Sequence, residues 1–149
     1  MVVKWEAEME EGRKILVIDD DPDILEALTT VLESQGYQVA TARDGVEGLD
    51  RLRAENTDLI ILDLIMPRMD GFAMYKMLKN PDRPDYGDIP ILLLTSLREE
   101  SSRRRFELET GMEMAVDDYV EKPISPQIML ERVKKLLQKA AQAEILISH

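Results

Sequence analysis

Three short apolar runs, residues 14–19 (KILVID), 59–63 (LIILD) and 89–95 (IPILLLT), each close on a polar side chain. Continuous β-branched and leucine runs of this length suit strands covered on both faces, hence a parallel sheet. Its polar ends, Asp19, Asp63 and Thr95, then gather at one rim. Residues 37–42 (YQVATA) alternate as a strand nearer the sheet edge does, and residues 118–121 (DYVE) supply a short fifth strand.

Between the strands the period lengthens to that of a helix. Asp21-Pro22 offers a cap and a first helical residue, Ile24, Leu25, Leu28, Val31 and Leu32 follow at helical spacing, and Gly36 supplies the stop. Val46, Leu49 and Leu52 mark a second helix, residues 72–79 a third, residues 98–110 a charged fourth closed by Gly111, and residues 125–143 a last one. The Pro- and Asp-rich stretch 81–87 reads as a loop, Asp70-Gly71 as a turn and helix start, and residues 1–12 as an extra helix or loose tail. Five strands alternating with five helices form an α/β chain of the doubly wound kind.

Composition narrows the chemistry. The chain of 149 residues has one-domain length, no cysteine, and a single histidine, His149, at its very end. Thiolate chemistry is excluded, and histidine catalysis or ligation is not expected. Thirty acidic residues against nineteen basic ones give a net charge of -11, which repels nucleic-acid phosphate, so no direct nucleic-acid binding is expected. No apolar run approaches membrane-spanning length, and the acidic start lacks the order of a signal peptide, so the chain reads as soluble and cytoplasmic, with no membrane partner.

In an open parallel sheet, ligands bind beyond the carboxyl ends of the strands, where the strand order reverses. The polar residues expected there are Asp19, Asp20, Asp63, Thr95 and Lys122. Crowded carboxylates repel one another unless a cation joins them. Mg2+ suits an all-oxygen set because it accepts carboxylates, keeps waters and completes its shell with phosphate oxygens. Lys122 adds a mobile positive charge, and Thr95 a hydroxyl donor.

Val17-Ile-Asp19-Asp20, Leu62-Asp63-Leu-Ile-Met66-Pro67-Arg-Met-Asp70-Gly71, Leu94-Thr95-Ser96 and Tyr119-Val-Glu-Lys122-Pro123 together resemble, in order and spacing, the signature of response-regulator receiver domains. The resemblance spans about residues 14–138, leaving 1–13 as an N-terminal extension and 139–149 as a tail continuing the last helix. It implies a flavodoxin-like (βα)5 fold with strand order 2-1-3-4-5 and helices on both faces. It makes Asp63 the phosphoacceptor and Asp19, Asp20, Asp63 and the backbone carbonyl of Ile65 the Mg2+ ligands. Thr95 and Tyr119 become a switch pair, Lys122 the phosphate-binding cation, and Lys122-Pro123 a cis peptide. The implied donor is a phosphohistidine on a sensor histidine kinase or a histidine phosphotransfer domain. The implied output is a downstream effector, met by the face of the fourth helix, fifth strand and fifth helix, which is also a candidate for homodimerisation. The protein is then a phosphoprotein of a two-component phosphorelay, catalysing only its own phosphorylation and slow dephosphorylation.

Alternatives and departures stand beside this reading. A Mg2+-dependent phosphatase of the haloacid-dehalogenase kind also uses a strand-end Asp, a Thr or Ser and a Lys, but Asp23 and Ile65 stand where its motif wants other residues. A pseudo-receiver would use the fold for interaction alone. Arg103-Arg104-Arg105 reads as a solvated helix face, and the methionines, Met66 and Met74 among them, as gap-filling core and surface. The stretch between Thr95 and Lys122 is about five residues longer than the family pattern, with 112–116 as the expected insertion. Ile65 and Leu97 should flank the phosphoryl group and shield it from water.

Overall fold

The computed structural model describes residues 12–64, 66, 70–82, 84–96, 104–105, 107–108 and 116–147. Among them, five parallel strands, β1 (Lys14–Ile18), β2 (Gln38–Ala42), β3 (Leu59–Asp63), β4 (Ile91–Thr95) and β5 (Asp118–Glu121), stand in the order β2-β1-β3-β4-β5. Four helices connect or follow them: α1 (Pro22–Ser34), α2 (Gly45–Ala54), α3 (Gly71–Leu78) and α4 (Pro126–Ile147). The expected order and the doubly wound class are both observed.

Burial follows from the period-2 alternation of each strand. Ile15 and Val17 of β1, with Leu59 and Ile61 of β3, face Leu25, Leu28 and Leu32 of α1 and Met129, Val133, Leu136 and Leu137 of α4. Leu16, Ile18, Ile60 and Leu62 face the other way, onto Leu49 and Leu52 of α2 and Met74, Tyr75 and Leu78 of α3. Every residue of β3 is buried, as both-sided cover requires.

Capping side chains set where the helices begin. Asp21, Asp44 and Asp70 are N-caps whose carboxylates accept from the amides of Asp23, Glu47 and Ala73, each at 2.9 Å. Gly36 ends α1 with a positive φ of 88°, a conformation in which a Cβ would crowd the backbone. That turn lets the Gly36 amide donate to Glu33 and the Tyr37 amide to Leu32, at 3.0 and 3.3 Å. Tyr37 is thereby buried before β2 begins.

Boundaries differ from expectation for physical reasons. β1 ends at Ile18, so Asp19 lies just past the strand. β4 starts at Ile91, not at residue 89, because Pro90 has no amide to donate and the Ile89 amide is spent on a turn to Tyr86. The loop over 81–87 contains a short 3-10 turn, Pro84–Tyr86. α4 runs to Ile147, past the expected end at 143. The expected N-terminal helix or tail over 1–11 and the insertion at 112–115 lie outside the described residues. Of the expected helix over 98–110, Arg104, Arg105, Glu107 and Leu108 are described and helical.

Two substitutions test this account by chemical denaturation. Gly36→Ala should cost about 1 kcal/mol through its left-handed backbone, and an unchanged midpoint would show that the turn does not need glycine. Leu62→Ala should cost about 2–5 kcal/mol by opening a cavity between β3 and α2/α3.

Candidate functional site

The sheet register assembles the site. Ile18 pairs with Leu62, so Asp19 and Asp63, one residue further along each strand, come side by side. Thr95 pairs with Glu121, and the Lys122 amide donates to the Thr95 carbonyl at 2.8 Å, which brings Lys122 to the same rim. The chain crosses from β2 over β1 to β3, so the crevice lies where the strand order reverses.

Asp19 and Asp63 are buried and Asp20 is exposed; one carboxylate oxygen from each lies within 4.8 Å of the others. The Lys122 ammonium reaches both buried acids, 3.4 Å from Asp19 Oδ2 and 3.3 Å from Asp63 Oδ1. Asp19 is aimed by its neighbour, its Oδ1 accepting from the Asp21 amide at 2.9 Å. Its Oδ2 is buried and accepts no hydrogen bond from the described residues.

These contacts do not balance the charge. Burial pushes the Asp19 carboxyl up to about 6; the Asp21 amide opposes that rise, the charge of Asp63 adds to it, and Lys122 pulls it back. Among the described residues, one ammonium answers these three carboxylates. An all-oxygen donor set with one exposed carboxylate fits a hard divalent cation.

The structure thus brings Asp19, Asp20, Asp63 and Lys122 together. Thr95 is half-buried at the end of β4, its hydroxyl donating to the Ser96 carbonyl at 3.3 Å. Tyr119 sits on β5 with 38 % of its surface exposed, two residues before Thr95's partner, Glu121. The Lys122-Pro123 peptide is cis. Ile65 and Leu97 lie outside the described residues. Arg104 and Arg105 are exposed, as a solvated helix face requires, while Met66 and Met74 are buried.

Two features were not anticipated. An apolar groove of about 290 Å³ opens beside Lys122, between α1 and the segment after it, lined by Ile24, Ala27, Leu28, Val31, Pro123 and Ile124. Its α1 side chains carry the same 3.6-residue spacing that buries Leu25 and Leu32, so periodicity alone does not reveal that some stay uncovered. The second is the closeness of Gly71 to the backbone of Asp63 and Leu64, which only a folded chain reveals.

Comparison with known proteins agrees with the geometry. The family model described as response regulator receiver domain matches residues 15–134. The chain is 39% identical over 127 residues to "Probable transcriptional regulator ycf27" of Cyanophora paradoxa, covering 85% of this chain and 49% of that protein. It is 40% identical over 129 residues to the alkaline phosphatase synthesis transcriptional regulatory protein PhoP of Bacillus subtilis (strain 168), covering 87% of this chain and 50% of that one. Among solved structures, the signal receiver domain of a signal transduction histidine kinase from Syntrophus aciditrophicus superposes with a TM-score of 0.73 at 37% identity, covering 86% of this chain and 92% of that one.

The chain spans about half the length of the curated relatives it matches. They are transcriptional regulators, which overturns the expectation that nucleic acid is no partner of such a protein. That expectation rested on a net charge of -11, a property of the residues counted and of no others. The relatives have about as much chain again beyond the match, and its charge is not fixed by this half. No helix among the described residues is long and apolar enough to cross a membrane. With the family model matching most of its length and the acidic cluster in place at the strand ends, the chain belongs to the response-regulator receiver domains, signalling modules of two-component systems.

Proposed function

We propose that Asp63 accepts a phosphoryl group from a phosphohistidine donor in a Mg2+-dependent reaction, and that the resulting charge switches a partner-binding face. The observation that carries this reading is the convergence of two buried carboxylates on one ammonium, with a third carboxylate at the mouth. Asp19, Asp20, Asp63 and the Ile65 carbonyl would hold the cation, which supplies positive charge against the equatorial phosphoryl oxygens.

The remaining work falls to this chain's own groups. A carboxylate oxygen of Asp63 bonds to phosphorus in line as the P–N bond to the donor imidazole breaks, its electron pair leaving with the imidazole. Lys122, already 3.3 Å from Asp63, follows the negative charge onto the new phosphoryl oxygens. Thr95 turns its hydroxyl from the Ser96 carbonyl to the same oxygens, and Tyr119 moves into the space vacated. The apolar groove beside Lys122 offers a donor helix a seat within reach of Asp63. Two-component signalling of this kind belongs in the cytoplasm, where the donor is made.

The site explains why metal and phosphate should be welcome. Folding buries Asp19 with a carboxyl pKa raised to about 6 from 3.8. The folded state therefore holds that proton more tightly than the unfolded one. The group's destabilising effect is absent below about pH 4, grows as pH rises between the two values, and is fully present above about pH 6. At pH 7.5 without divalent cation, Asp19→Asn should stabilise the protein by about 1–3 kcal/mol, and the gain should fade towards pH 4. Thermal melts over that range check both statements; a gain that is constant with pH would remove the electrostatic account. Mg2+ should raise the melting temperature of the wild type with saturating dependence and have much less effect on Asp19→Asn.

Phosphorylation is tested by intact mass after incubation with acetyl phosphate or phosphoramidate. One added phosphoryl group is expected in the wild type with Mg2+, and none without Mg2+ or in Asp63→Asn. No adduct in the wild type, together with no beryllofluoride binding, would favour the pseudo-receiver alternative instead.

A further inference from the structure

The contact that fixes α3 to the acceptor strand runs through Gly71. The Gly71 amide donates to the Leu64 carbonyl at 2.9 Å, directly after Asp63, and Asp70 closes the first turn of α3 by accepting from the Ala73 amide. A Cβ at residue 71 would fall against the Asp63 carbonyl oxygen, 2.7 Å from Leu64 Cα and 3.1 Å from the Asp63 carbonyl carbon. All three are backbone atoms, which no rotamer change can move aside. The φ of Gly71 is not in the left-handed region, so the requirement is for space alone.

We propose that Gly71 is a positioning residue of the acceptor site. It lets the start of α3 press onto the peptide that follows Asp63, and so fixes where the buried carboxylate of Asp63 points relative to Lys122 and Asp19. The proposal rests on the reading of Asp63 as the acceptor. Any side chain at 71 must push either α3 or the Asp63–Leu64 backbone; Leu62 is paired on both sides, to Ile18 and Leu93, whereas Asp63 is paired to Leu94 of β4 and to no residue of β1, and Leu64 lies past the strand. The displacement therefore concentrates at the end of the strand, where Asp63 lies. Groups that orient a metal-binding side chain from behind are typically worth about 10–100-fold in metal affinity.

Gly48 provides the control. A Cβ there would also be too close to its neighbours, 2.8 Å from Ile18 Cδ1 and 3.0 Å from Met74 Cε, but these are ends of flexible side chains on the same core face. Gly48→Ala thus disturbs packing between α2, α3 and the sheet without touching the Asp63 backbone.

The test is Mg2+ titration calorimetry on the wild type, Gly71→Ala and Gly48→Ala. Each protein's melting temperature is recorded, as is exchange of the residue 71 amide without metal. Gly71→Ala is expected to weaken Mg2+ binding by about 10-fold or more and to speed exchange of its amide, while Gly48→Ala keeps the wild-type affinity even if its melting temperature falls as far. Equal affinity in Gly71→Ala and the wild type overturns the proposal, as does an equal loss of affinity in both variants. If Gly71→Ala does not fold, Asp70→Ala loosens the same turn without a clash. A weakened Mg2+ affinity there supports the proposal, and an unchanged one overturns it. Absence of Mg2+ binding in the wild type would instead defeat the reading of the site itself.

Discussion

Two carboxylates, Asp19 and Asp63, are held out of water at one rim of a parallel sheet and share the single ammonium of Lys122. A buried charge is tolerated only when it is paired or hydrogen-bonded, and among the described residues Asp19 Oδ2 accepts no hydrogen bond. Asp19 has the Asp21 amide on one oxygen and, among the described residues, the Lys122 ammonium at 3.4 Å from the other. The arrangement persists because the rest of the fold leaves these groups nowhere else to go. The upstream residues of β1 and β3 are buried on both faces, so their registers are fixed and their last side chains must meet at the crossover crevice. Hydrophobic burial on the two faces stabilises the sheet, and the sheet imposes an electrostatic cost at its end.

That cost is the link between fold and function. A site where, among the described residues, three carboxylates meet one ammonium gains from a divalent cation that enters. It also has an ammonium already in place for the oxygens of an incoming phosphoryl group. A site with a second lysine in place of Asp20 would be formally neutral and would have less to gain from a divalent cation. The candidate site residues thus carry an electrostatic cost, as expected of sites that bind.

Much of this was legible in the sequence because the relevant signals are local. Apolar runs ending in Asp19, Asp63 and Thr95 disclose both the parallel sheet and the rim, since strand direction alone decides which ends gather. Caps at Asp21 and Asp70 disclose where helices start. Strand order came from resemblance to a family, not from the periodicity, because alternating β and α elements are compatible with several orders. What stayed hidden depends on distance in space. The exposure of Ile24, Ala27 and Val31 in a groove follows from where α1 lies relative to Pro123, and no spacing within α1 encodes it. Gly71 looked like an ordinary turn glycine, whereas the folded chain places it against the backbone of Asp63 and Leu64. The charge argument against nucleic acid failed for another reason: it was a statement about this chain's surface extended to proteins twice its length.

Lys122 also connects the site to the surface. Its ammonium sits between Asp19 and Asp63, while its amide is bound to the Thr95 carbonyl at the end of β4. Under the proposed phosphorylation, a shift of that ammonium toward new oxygens on Asp63 pulls on a residue whose amide is bound to the end of β4. Four residues upstream, both carboxylate oxygens of Asp118 accept from Arg132 of α4, at 2.9 and 3.0 Å, which ties β5 to α4. Tyr119 lies between these two attachments and is partly exposed. In the proposed reading the covalent event at Asp63 needs no separate relay, because the residue that stabilises its charge directly follows the strand that displays Tyr119 to a partner.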